Sequence, residues 1–197
     1  RIRKNIPMDR EGSLSIIVPN HNEEYISLMN QYLKYLFPTA QIIISNDPEG
    51  RGKGWAVREG LKNADGKIIC FIDGDFDIRP EFILRLLQEL DGYDIIVARK
   101  KLDKVRFKRK LLTILSRILI KLMFNIPVSD TQTGLKIFRK NALTEWKSDG
   151  FGFDCEILYH AKKQGCRIKE IPIDCTVSDP KGLRDITKTF CELMRIT

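Results

Sequence analysis

The sequence has little that would build a covalent or thiolate framework. Its five cysteines (Cys70, Cys155, Cys166, Cys175 and Cys191) include no CxxC pair and are odd in number. That argues against a disulfide scaffold or a zinc site and for a reducing compartment. The two histidines, His21 and His160, lack the spacing of paired ligands, and His160 reads as structural. No run of about 20 apolar residues is available to span a bilayer. No signal-like segment opens the chain, and there is no internal repeat or low-complexity tract. What is present is ordinary globular composition, 43% hydrophobic and 30% charged over 197 residues, enough for one self-sufficient core.

Charge is unevenly placed. Between Arg99 and Lys121 stand ten Lys and Arg against the single Asp103, more than the formal net charge of +8 for the whole chain. A local cluster implies a local anionic partner. Nucleic acid is disfavoured, because Phe107 and Phe124 are the only rings interleaved there for stacking on bases. Apolar residues from Phe107 to Ile126 recur at helical spacing, while Arg109, Thr113, Arg117 and Lys121 repeat every four residues on another face. The pattern predicts a basic amphipathic helix over 105–126. It either packs on the core with a solvated basic side or lies in a membrane interface.

Strands are expected at 13–19, 41–45, 67–72 and 93–98, each a short apolar, largely β-branched run. Helices are expected at 22–37, capped by Asn22 with Glu23 and Glu24 in its first turn, and at 54–63 and 80–90. The alternation predicts an α/β fold, a Rossmann-like, mainly parallel sheet with helices on both faces. A basic arm is expected over 1–12, one domain over 13–182 and a C-terminal helix over 183–197. Ligands of such sheets bind beyond the carboxyl ends of the strands. There, Asp73 and Asp75 flank Gly74, an arrangement that suits a hard divalent cation able to hold a diphosphate in turn. Gly52 and Gly54 flank Lys53 either as a phosphate cradle or as a turn that starts a helix. Asp130 is either a turn carboxylate or a group that orients an acceptor or serves as base. Asp154 and Glu156 sit where acids favour a helix N-terminus, and are secondary candidates.

The blocks VPNHNEE, GRGKGWAVREG, FIDGD, SDTQTGLKIFRK, FGFDCEILYHAKKQG and IKEIPI occur in an order that resembles family-2 glycosyltransferases of the GT-A fold. More narrowly, it is similar to the dolichyl- and polyprenyl-phosphate sugar synthases. The resemblance implies an inverting, metal-dependent hexosyltransferase. It would move mannose or glucose from a GDP- or UDP-linked sugar to a prenyl phosphate, working from the cytoplasmic face of a membrane. The alternatives are transfer to a soluble glycan or hydroxyl acceptor, or nucleotide-sugar binding without turnover. By the same resemblance, Pro19, Asn22, Glu23 and Asp47 line the nucleotide pocket, and Lys53, Arg99 and Lys181 serve the donor. Asp73 and Asp75 hold Mn2+ or Mg2+, Arg109 meets the acceptor phosphate, and Asp130 lies at the acceptor side. The loop after the second strand, SNDPEG, is shorter than the family pattern, TVSDPKG lacks an arginine often found there, and no membrane-spanning run follows within these residues.

Overall fold

The computed structural model describes residues 13–20, 24–101, 114, 117, 118 and 120–174. The expectations for the 1–12 arm, Asn22, Glu23, Arg109, Lys181 and the 183–197 helix lie outside them.

Six strands form one sheet: β1 (Leu14–Asn20), β2 (Gln41–Asn46), β3 (Ile68–Ile72), β4 (Ile95–Lys100), β5 (Leu135–Arg139) and β6 (Ile168–Ile173). Their order is β2-β1-β3-β5-β4-β6. Every pairing is parallel except those of β5, which runs antiparallel between β3 and β4. The start of β5 therefore lies at the same edge as the ends of its parallel neighbours, Ile72 facing Leu135 in register.

Period-two alternation sends Ile16, Cys70, Ile96 and Ile137 to one core, and Ile17, Phe71, Val97 and Phe138 to the other. Helices α1 (Ile26–Leu36) and α3 (Phe82–Gln88) cover the first through Met29, Leu33, Ile83 and Leu86; α2 (Lys53–Lys62) and α4 (Phe153–Lys163) cover the second. Helix α1 starts later than its polar opening suggests. Tyr25 stands at its N-cap without a side-chain bond and no acid occupies the first turn. Strand β4 runs on to Lys100, so Arg99 lies inside the strand, opposite Pro172, rather than after it.

The basic segment is helical where it is described, at 114, 117, 118 and 120–124. Asn125, at φ 48, stops it in the left-handed conformation that asparagine tolerates. Its apolar residues divide between two faces. Phe124 is buried in the second core, with Ile120 and Met123 packed against it, whereas Ile114, Ile118 and Leu122 are 38%, 50% and 78% exposed. Among the described residues no helix is long and apolar enough to cross a membrane.

Candidate active site

The carboxyl edge of the sheet gathers Asn46 at the end of β2 and Asp47 after it, Asp73–Asp77 after β3, Lys100 at the end of β4, and the 129–134 loop before β5. The turn after β3 is built tightly. The Asp73 amide donates to the Gly134 carbonyl (3.1 Å), and Asp75 Oδ1 accepts from the Asp77 amide (3.0 Å). Phe76 has φ 58, unusual for a ring-bearing residue, and packs on the first core near Tyr32. Gly134 is required by closeness, since a Cβ there would overlap Asp73 Oδ2.

Asp75 is exposed at this turn. Partial loss of water raises its carboxyl pKa; the Asp77 amide bond and Lys100 oppose that rise, while the charges of Asp73 and Asp77 add to it. Lys100 Nζ lies 3.7 Å from Asp77. Crowded carboxylates of this kind suit a hard cation, to which Asp73 and Asp75 could offer oxygens. Among the described residues no three acid, histidine or cysteine side chains converge as a complete metal cage.

Behind Asp73 lies a buried network of alternating charge. Lys53 Nζ is 2.7 Å from Asp73 Oδ1 and 3.5 Å from Asp154 Oδ2. Asp154 Oδ1 accepts from Lys136 Nζ at 2.5 Å, and that ammonium also donates to the Thr133 carbonyl (2.6 Å). Lys136 and Asp154 side chains are 1% and 2% exposed. Lys136 sits mid-sheet on β5, registered with Phe71 and Val97. Burial lowers its pKa, opposed by Asp154. Burial also works against the Lys53 charge, but Asp154 and Asp73 outweigh it and hold the pKa above the usual lysine value.

Gly52 and Gly54 belong to this arrangement as packing positions. A Cβ at either would overlap the carbonyl of Asp149 or Ser148, and Gly52 has φ 130. The loop they approach is held from below by Glu156, whose oxygens accept from the Lys147 and Ser148 amides at 2.8 and 2.9 Å. Asp154 and Glu156 do occupy the first turn of α4, but both are buried and bonded.

Asp47 is buried, and its two oxygens accept from the Arg51 amide (3.0 Å) and the Gly52 amide (2.7 Å), so it shapes the loop that leads to Lys53. Pro19 is half-buried in β1 opposite Ser45. On the far side of the turn, Arg99 Nε is 3.3 Å from Glu170 Oε2. Glu170 Oε1 accepts from the Ser129 and Asp130 amides, both at 2.8 Å. Asp130 Oδ2 accepts from the Lys100 amide (3.0 Å) and from Arg117 (2.5 Å). Sequence reasoning missed Lys136, Glu170 and Arg117 as site components. No local signal marked them, because each stands among other charges in its own element and its partner is distant in sequence.

A glucosyl-3-phosphoglycerate synthase from Mycobacterium tuberculosis, solved with Mn2+, UDP and phosphoglyceric acid, matches 93% of this chain and 76% of its own, with a TM-score of 0.76 and 16% identity. The architecture is that of the GT-A glycosyltransferases. Residues 27–146 match the family described as glycosyl transferase family 2, and the chain belongs to that family. A dolichyl-phosphate beta-glucosyltransferase of Trichomonas vaginalis is 26% identical over 83% of this chain, which spans 55% of that relative. An undecaprenyl-phosphate mannosyltransferase of Micrococcus luteus is 21% identical over 80% of this chain and 81% of its own length.

Proposed function

We propose that the chain is the catalytic part of an inverting hexosyltransferase that moves mannose or glucose from a GDP- or UDP-linked sugar to a dolichyl or polyprenyl phosphate. The observation that carries the donor half is the Asp73–Asp75 turn at the carboxyl edge of the sheet, with Lys53 beside it. In this reading Asp73 and Asp75 hold Mn2+ or Mg2+, which when bound neutralises charge on the leaving diphosphate. Lys53, Arg99 and Lys181 add positive charge. Pro19, Asn22 and Glu23 border the nucleotide, and Asp47 contributes by holding the Arg51–Gly52 backbone beside it. The acceptor phosphate is already anionic, so positioning outweighs base catalysis. Arg109 pairs with it and Asp130 faces it.

The acceptor half is supported by the exposed apolar stripe of Ile114, Ile118 and Leu122 beside the exposed Lys121. Apolar side chains flanked by cations suit an anionic bilayer surface, where each cation adds about 1 kcal/mol. The protein then works peripherally on the cytoplasmic face. A second reading, a soluble phosphorylated acceptor, is favoured by the phosphoglycerate bound in the structural neighbour.

The deciding experiment supplies GDP-mannose or UDP-glucose with Mn2+ to the purified protein. It offers dolichyl phosphate in vesicles or 3-phosphoglycerate in solution. Product on the lipid alone is expected; product on phosphoglycerate alone refutes the lipid assignment. Arg109→Ala should raise the apparent KM for the lipid, whereas Lys110→Ala should weaken only vesicle binding, because arginine pairs phosphate in a bidentate way that lysine does not.

A further inference from the structure

The Lys53 network contains one unmatched atom. Asp154 Oδ2 is buried and has no hydrogen-bond partner among the described residues, while Oδ1 of the same carboxylate is taken by Lys136. Its ion-pair neighbour is Lys53 Nζ, 3.5 Å away, which rests instead on Asp73 at 2.7 Å. A buried acceptor without a donor is costly, and it stands within reach of a donor already engaged elsewhere. An approach of about 0.7 Å would turn the longer contact into a charge-assisted hydrogen bond.

Asp73 is also one of the two carboxylates assigned above to a divalent cation. A doubly charged ion and the Lys53 ammonium cannot share that carboxylate without strong repulsion. We infer that Lys53 is a two-position ammonium: it occupies Asp73 in the protein alone and withdraws onto Asp154 Oδ2 when a divalent cation takes up Asp73. Lys136 is the positioning residue of the pair, since it holds Asp154 by the opposite oxygen and leaves Oδ2 turned toward Lys53. Two carboxylates and two ammoniums balance, so the withdrawal moves charge within a neutral set. The inference rests on the divalent-cation part of the proposed function and is independent of the acceptor.

Its test is the affinity for Mn2+ alone, measured from the EPR signal of the free ion, without nucleotide or sugar. Asp75→Asn should abolish binding, which identifies the site; unchanged binding in that variant overturns the inference. Lys53→Met removes the competing cation and should tighten Mn2+ binding at least tenfold. Equal or weaker binding overturns the inference. The double variant Asp154→Asn/Lys136→Met keeps the net charge of the network but removes the second seat for Lys53. It should bind Mn2+ about tenfold more weakly, and unchanged affinity refutes the two-position reading in favour of net charge alone. If that double variant does not fold, Lys53→Met/Lys136→Met/Asp154→Asn takes its place, which leaves no buried ammonium without a partner and keeps the net charge of Lys53→Met. With no ammonium left to withdraw, its affinity should stay within about threefold of Lys53→Met, and a larger drop overturns the inference. A failure of sugar transfer would leave all these affinities untouched, so the two proposals fall separately.

Discussion

Removing either partner of the Lys136–Asp154 pair should destabilise the protein, and by unequal amounts. Both side chains are almost fully buried and lie 2.5 Å apart. Breaking such a pair by deleting one partner costs about 3–5 kcal/mol, because the survivor is left as an uncompensated buried charge. The network decides which deletion is worse. After Lys136→Met, Asp154 keeps Lys53 at 3.5 Å, so the cost should fall near the low end, about 3 kcal/mol. After Asp154→Asn, Lys136 loses its carboxylate and is left against the charge of Lys53, whose own partner is Asp73, and the cost should approach 5 kcal/mol. Natural domains have only about 5–15 kcal/mol in total, so both variants should be visibly weakened. Urea unfolding followed by circular dichroism measures the difference. In a chain of this length each 1 kcal/mol lowers Tm by about 2–4 °C, which gives an independent check. A cost below about 1 kcal/mol for either variant, or a Lys136→Met variant less stable than Asp154→Asn, would refute the charge ordering.

Two further outcomes follow from the geometry. Gly134→Ala should displace the Asp73 carboxylate, which a Cβ would overlap; Mn2+ affinity should fall at least tenfold while the circular dichroism spectrum stays unchanged. Glu156 is buried, which opposes ionisation, but the Ser148 and Lys147 bonds prevail and hold its pKa below the ordinary 4.5. Its contribution is therefore present above pH 4.5 and is lost as pH falls through the lower folded value. Glu156→Gln should be less stable at neutral pH, by about 1–3 kcal/mol, and should lose stability less steeply than the parent in acid urea titrations.

The first four strands were legible because each is a short, nearly unbroken apolar run between turn residues, the mark of a strand buried on both faces. Strands β5 and β6 were not, although their blocks carried the family resemblance. LKIFR and IKEIPI interleave charges with apolar residues, and β5 enters the sheet antiparallel, out of the βαβ rhythm. Lys136 was opaque for the same reason. A lysine in a strand is ordinarily solvated, and its partner Asp154 is 18 residues away on another element. The placement of Asp73 and Asp75 at the carboxyl edge of the sheet was readable because they directly follow an unbroken apolar strand. The pattern of Ile114, Ile118 and Leu122 was readable as amphipathic, but which apolar residues would stay outside depended on Phe124 anchoring the helix end in the second core.

The two charged networks that flank the Asp73–Asp75 turn bear on how any ligand is received there. On one side Lys53 sits on Asp73; on the other Arg99 sits on Glu170, and Arg117 on Asp130. Each of these cations already has a carboxylate in the protein alone, so binding an anionic ligand exchanges partners rather than filling a bare positive hole. Exchange lowers the desolvation cost of keeping several charges at a partly buried edge. It also ties ligand binding to side-chain movement. Arg117 gives that movement a direction. It belongs to the helix that exposes Ile118 and Leu122 to its surroundings, yet its guanidinium reaches Asp130 and the Lys100 carbonyl at the carboxyl edge. Any shift of that helix against a surface must be felt at Asp130, because a 2.5 Å ion pair cannot lengthen by an ångström without losing its hydrogen bond.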